Sequence, residues 1–240
     1  MEFICSSAPA PDQMPAVKTV GGKDLKCNAA DPACLRIFKI SIEEHLGEIA
    51  FFKVYGGEIT EAMDLVNSAN SGKERIPQLL LVAGKKREKI EKVCAGDIAA
   101  TIKLKSTRTG DTLNSAKNAD DVIVPIAFPA PKISMAIKAK NSGDDEKLGA
   151  RLNEMHKVDQ TLLVEYSKEL KQVIIKGQGE LHLNIAKWHL EHLDKIAVDF
   201  IAPKIPYRET ITKSAKAMYR HKKQSGGSGL FADMEFEIGP

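Results

Sequence analysis

Three histidines, His182, His189 and His192, are spaced along one stretch, QVIIKGQGELHLNIAKWHLEHL, residues 172–193. His189 and His192 stand three apart, a spacing that on a helix could hold a metal. No acidic or cysteine ligand is placed to complete the set, and no HExxH is present. They read as surface or packed histidines, and no metal is expected. The four cysteines, Cys5, Cys27, Cys34 and Cys94, contain no CxxC pair and no zinc spacing. They read as free thiols, with a Cys27–Cys34 disulfide left open because both lie in an irregular arm. No Ser/His/Asp or Cys/His arrangement and no carboxylate pair stands out for catalysis. There is no GxxxxGK[ST], and Gly21-Gly22-Lys23-Asp24 is too short to cradle phosphates. The chain as given is therefore expected to hydrolyse no nucleotide.

The remaining chemistry is charge. The net charge of +3 is weakly basic, which permits contact with nucleic acid without requiring it. Lys85, Lys86, Arg87 and Lys89 form the strongest basic cluster. Such a cluster can contact phosphates, which position a partner without reading its sequence, or it can simply face solvent. No apolar run approaches membrane-spanning length, and residues 1–10 lack the pattern of a signal peptide.

The elements that would position these groups follow from periodicity. Val173, Ile174 and Ile175 form a β-branched strand run. Gly177 and Gly179 break it, since a sharp strand-to-helix turn favours residues without a Cβ. A helix then starts near Glu180, whose carboxylate suits the positive end of the helix dipole. That helix carries two apolar stripes. Leu181, Ile185 and Trp188 fall on one face, and Leu183, Ala186, Leu190 and Leu193 on roughly the other. One stripe covers a sheet, so the second calls for another partner.

The whole chain reads as multidomain. Residues 1–36 form an arm or linker. Residues 37–115 hold short strands punctuated by glycine turns, with the rhythm of an all-β barrel. Residues 116–131 form a linker stiffened by Pro125, Pro129 and Pro131. Residues 132–205 give the order β-α-β-β-α-β, an α+β ferredoxin-like domain. Its first helix runs from Asp144 to Asp159 with Leu148, Leu152 and Met155 inward, and Ser142 with Asp145 fits a capping-box spacing. Residues 206–240 begin a further domain.

GQGELHLNI, residues 177–185, resembles the GMGELHLDI motif in the third domain of bacterial elongation factor G, a translational GTPase. Pro15-Ala16-Val17-Lys18 resembles the family's passage from its GTP-binding domain to its second domain. FFKVYGGEI, AGDIAA and TGDTL resemble its second-domain barrel. Pro206 to Ile211 and HKKQSGGSGLFA, residues 221–232, resemble the entry and glycine-rich tip loop of its fourth domain. The resemblance implies an internal fragment of a ribosomal translocase. The second, third and beginning of the fourth domain are expected here. The GTP-binding domain and most of the fourth are expected to lie outside it, so the fourth-domain piece is expected to pack poorly.

By the same resemblance, His182 faces the interface with the GTPase switch region where fusidic acid binds. Asp159 and Thr161 of the VDQT segment, Gln178 and Glu180 belong to that interface. Val158, Gln160, Gln178 and Asn184 depart from the usual residues there. At the tip loop, Lys222, Lys223 and Gln224 are candidate RNA contacts, joining Lys85, Lys86 and Arg87 on the barrel. Leu230 stands where the family usually has glutamine, and leucine can neither donate nor accept.

The implied partners are the ribosome, through its RNA and small-subunit proteins, and tRNA and mRNA through a complete fourth domain. The chain itself is expected to hold no cofactor, while GTP and magnesium are implied for the full-length protein. A cytoplasmic monomer is expected. Two alternatives are a ribosome-binding paralogue without GTP-driven translocation, such as a protection or regulatory factor, and a free-standing RNA-binding module.

Overall fold

The computed structural model describes residues 6–43, 47–84, 86–223, 226–227 and 229–240. Met1–Pro203 and Lys204–Pro240 form separate units.

The arm is more ordered than its composition suggests. Strands β1 (Val17–Lys18) and β2 (Asp24–Leu25) pair with each other, and Thr19 bridges to Ile123. The Gly57 N–H donates to Asn28 O at 2.9 Å. Gly57 has φ +72, and a Cβ there would lie 2.6 Å from Asp31 O, so only glycine lets the arm lie this close. Cys27, Cys34 and Cys94 are free, which removes the Cys27–Cys34 disulfide. Burial, with Asp121 nearby, pushes the Cys34 thiol up to about 12, so it behaves as an apolar side chain. Cys5 lies outside the described residues.

The first barrel strand begins ahead of the expected Ile37. It is β3 (Cys34–Glu43), followed by β4 (Gly47–Gly56), β5 (Glu58–Thr60), β6 (Asp64–Asn67), β7 (Gly72–Arg75) and β8 (Leu79–Ala83). β9 (Lys86–Ile90), β10 (Lys92–Cys94), β11 (Ile98–Ile102) and β12 (Thr112–Asn114) complete the module. Eight strands form one antiparallel sheet in the order β7-β6-β12-β3-β4-β11-β8-β9, and β10 pairs with β5. Alternate residues point inward: Leu35, Ile37, Phe52, Val54, Leu65, Leu79 and Leu113 make the core. Strand β11 stops at Ile102 rather than Leu104, because Lys103 turns into the left-handed region at φ +58. Much of the expected linker also belongs to this module. Ile123 is buried, and Val20 N–H donates to Val122 O at 2.8 Å.

The α+β domain has the sheet order β14-β15-β13-β16. Its strands are β13 (Ile133–Ala139), β14 (Leu163–Ser167), β15 (Gln172–Gly177) and β16 (Val198–Ile201). Helix α1 spans Asp145–Val158 and α2 spans Glu180–His192. The capping box at Ser142 does not form. Ser142–Asp144 is a short 3-10 turn, and the N-cap Asp144 makes no side-chain cap bond. Leu148 and Leu152 of α1 meet Leu183, Ala186 and Leu190 of α2 over Ile137 and Ile175. Truncating one of these buried leucines to alanine is expected to cost about 2–5 kcal/mol.

Only one stripe of α2 is buried. Leu181, Ile185 and Trp188 are exposed, as is Leu193, which periodicity places on the inner face. Leu193 is the helix C-cap, where the chain leaves the helical path.

In the second unit, β17 (Ala215–Lys223) and β18 (Leu230–Ile238) form an antiparallel hairpin. The expected poor packing is true only of its faces. Cross-strand bonds and the Arg220–Asp233 ion pair order the ribbon, while Met218, Tyr219, Phe231 and Met234 stay exposed.

Candidate functional site

The turn from β15 into α2 is packed against its own helix. A Cβ on Gly177 would lie 2.8 Å from Leu183 Cδ2 and 3.0 Å from His182 Nδ1. The glycine is required by close approach, since its φ is not positive. The absence of a side chain lets the His182 ring fold back under the turn. The Gln178 N–H donates to His182 Nδ1 at 3.2 Å. This gives the backbone N–H of the turn residue just ahead of the N-cap Gly179 a partner.

That bond also fixes the ring's chemistry. An Nδ1 that accepts carries no proton, so a neutral ring holds its proton on Nε2. His182 Nε2 then donates to Asp159 Oδ2 at 3.0 Å. Asp159 is the C-cap of α1, its N–H bonded to Met155 O. Its second oxygen, Oδ1, accepts from the Thr161 N–H at 2.8 Å and the Thr161 hydroxyl at 2.6 Å, an Asx turn. Burial disfavours the Asp159 charge, but the bonds from Thr161 and His182 outweigh it and hold the carboxyl below its ordinary range. Asp159, Thr161, Gln178 and His182 thus form one network joining the end of α1 to the start of α2. Glu180 is exposed in the first turn of α2, and among the described residues it has no hydrogen bond or ion pair with the network.

Two of the unusual residues have clear structural work. Gln160 Nε2 donates to His156 O at 3.0 Å, satisfying a carbonyl at the end of α1. Gln178 Nε2 donates to Pro129 O at 3.0 Å and Ala130 O at 3.3 Å. A single amide therefore ties the interdomain linker to the turn below His182.

The network sits beside the barrel. Lys157, the penultimate residue of α1, pairs with Glu48 of β4, and its carbonyl accepts from the Thr109 hydroxyl at 3.4 Å. A cavity of about 760 Å³ opens between α1, α2 and the far end of β3, with Ile42, Met155, Val158, Ile185 and His189 among its walls. His192 stacks on Trp188, ring centroids 5.0 Å apart, and His189 meets the same ring edge-on. Among the described residues, no group of three His, Cys, Asp or Glu side chains could hold a metal ion.

The basic candidates are dispersed. Lys86 is exposed on β9, and Arg87 is paired with Glu43, which partly neutralises it. Lys85 lies outside the described residues, as does Gln224. Lys222 and Lys223 are exposed at the end of β17, in the second unit. Sequence reading missed the Lys157–Glu48 pair and the Gln178 amide bonds. The first had no local signal, since its partners lie far apart in the chain. The second had none either, since its acceptors, Pro129 and Ala130, lie in the linker far back in the chain.

A β-barrel leading through a proline-rich linker into a βαββαβ domain is the architecture of a translation factor. Family models match three successive segments. Elongation factor G domain 2 matches residues 32–116, domain III residues 128–201 and domain IV residues 203–240. The chain is 38% identical over 244 residues to Elongation factor G of Rhodopseudomonas palustris (strain BisB18), covering 100% of this chain and 35% of that protein. A crystal structure of a protein from Thermus thermophilus superposes with a TM-score of 0.73 at 28% identity, covering 100% of this chain and 34% of the other. The chain belongs to the elongation factor G family and spans about a third of the length of the curated relative it matches. The ordered domain matches favour the translocation-factor reading over a paralogue or a free-standing RNA-binding module.

Proposed function

We propose that this chain is the ribosome-docking and coupling part of a GTP-driven translocase. In this reading a preceding domain binds GTP and magnesium and hydrolyses the nucleotide, and this chain performs no nucleotide chemistry. The barrel rests on the ribosome's small subunit. The α+β domain receives the switch movement at Asp159, Thr161, Gln178, Glu180 and His182. The fourth-domain segment, with Lys222, Lys223 and Gln224, reaches towards tRNA and mRNA. The protein works as a cytoplasmic monomer, and Lys85, Lys86 and Arg87 contribute non-specific phosphate contacts.

The observation that carries the reading is the hydrogen-bonded chain from Gln178 through His182 to Asp159, two residues beyond the barrel-bound Lys157. Such a chain couples a surface turn to a neighbouring domain. The test replaces both His182 and Thr161 with alanine in a longer protein that carries this stretch and a GTP-binding domain. Ribosome-stimulated GTP turnover is expected to fall by about tenfold or more, the equivalent of losing one to two well-placed hydrogen bonds. Unchanged turnover would overturn the assignment of these residues.

A further inference from the structure

Strand β7 carries a carboxylate where its alternation calls for an apolar side chain. Lys73 and Arg75 are exposed, and Glu74 between them is 1% exposed, opposite the core residue Leu65 of β6. An ionised carboxylate turned inward costs stability unless donors meet it. The four donors to Glu74 come from one segment, the one that leaves β11. Oε2 accepts from the Lys105 N–H at 2.9 Å. Oε1 accepts from the Ser106 N–H at 2.7 Å, the Ser106 hydroxyl at 3.1 Å and the Thr107 hydroxyl at 3.0 Å. Burial alone would push the Glu74 carboxyl up, but these bonds outweigh it and hold it below its ordinary range.

The segment is folded onto the barrel. Lys103 breaks β11 with φ +58, Leu104 packs against the barrel core and Thr107 is buried. The rest of the loop is held separately. Asp111 Oδ2 accepts from the Arg108 N–H and from Asn67 Nδ2, each at 2.8 Å, and the Gly110 N–H donates to Ile37 O at 2.8 Å. Thr109 stands between these two anchored parts. Its hydroxyl reaches Lys157 O at 3.4 Å, in the last turn of α1 and two residues before Asp159. A bond of that length is made or lost by a small shift of the loop.

We infer that Glu74 is a positioning residue for the candidate site: through residues 105–107 it fixes where Thr109 meets the last turn of α1, and so steadies the cap from which Asp159 holds His182. The lock on the loop and its reach to α1 stand on the geometry of this chain. Any effect on GTP turnover rests on the coupling reading given above.

The test reads amide hydrogen exchange by NMR on this chain, for the wild type, Glu74→Gln, Thr107→Val, Thr109→Val and Thr109→Ser. Rates are taken relative to the Val54 amide, bonded to Asp97 O in the barrel, which reports on folding. Glu74→Gln removes the charge and turns donors towards donors, and exchange at Lys105 and Ser106 is expected to quicken about tenfold or more. Exchange at the Asp159 N–H, bonded to Met155 O, is expected to quicken about threefold. Thr109→Val is expected to quicken Asp159 alike while leaving Lys105 and Ser106 unchanged, and Thr109→Ser, which keeps the hydroxyl, to match the wild type. In the double variant of Glu74→Gln and Thr109→Val, Asp159 is expected to exchange no faster than in Thr109→Val alone, because Glu74 acts through Thr109. Thr107→Val removes a single bond with little change of shape, and is expected to show the Glu74→Gln pattern in milder form even where Glu74→Gln does not fold.

Unchanged exchange at Lys105 and Ser106 in Thr107→Val and in a folded Glu74→Gln would overturn the lock. Faster exchange there with an unchanged Asp159 amide would overturn the positioning role. So would additive effects in the double variant, or a Thr109→Ser chain that behaves like Thr109→Val. The GTPase test of His182 and Thr161 in the longer protein is read separately, so either reading can fail while the other stands.

Discussion

His182 Nε2 sits 3.0 Å from Asp159 Oδ2, and this contact joins the first turn of one helix to the cap of the other. Its direction is set from behind, by a backbone N–H that occupies the other ring nitrogen. The ring is therefore held in one orientation by bonds within the chain.

The first prediction concerns acid. The Asp159 carboxyl is held below its ordinary range in the folded chain, chiefly by Thr161 and His182 acting against burial. A group depressed on folding contributes stability above its unfolded value and loses it as pH falls through its folded value. The melting midpoint of the wild type is expected to drop more steeply than that of Asp159→Asn as pH is lowered below about 4. Parallel curves for the two proteins would rule out this linkage.

Gly177→Ala tests the turn. The added Cβ would sit 2.8 Å from Leu183 Cδ2, a buried core atom with little freedom to move. Overpacking of this kind costs about 1–3 kcal/mol. Urea unfolding should show that loss. Gly179→Ala meets nothing within 4 Å and is the matched control, expected to change stability far less. Equal stability of Gly177→Ala and the wild type would mean that the turn is not held by packing.

The sequence made the core of this site legible, and physics explains where it stopped. The β-branched run of β15, the glycine break and the periodicity of α2 are local signals, and each element forms where those signals place it. Burial of Leu183, Ala186 and Leu190 follows from the same period. What Gln178 does with its amide was not legible, because its acceptors, Pro129 and Ala130, lie in a segment without periodicity. The Lys157–Glu48 contact was hidden for a similar reason. Charges on a helix normally face solvent, and only the fold brings the barrel to this one. The order in the arm was missed because its strands are only two residues long, too short to show alternation.

Gln178→Met removes the amide that holds the linker. Methionine fills similar space but cannot donate to the Pro129 and Ala130 carbonyls. Faster hydrogen exchange is expected at Lys132, with a stability loss of only about 0.5–1.5 kcal/mol. The Lys132 N–H donates to Gly177 O at 2.8 Å, so it reports directly on the loosened linker. Unchanged protection at the Lys132 amide would show that the clamp contributes nothing to linker order.

Helix α1 ends with Lys157 turned to the barrel and Asp159, two positions later, turned to His182. Both attachments hang on the last turn of a stiff rod. The two grips leave the end of α1 within two residues of each other, one towards the barrel and one towards α2. Where α1 stops therefore sets which residues of the barrel and of α2 its end can hold.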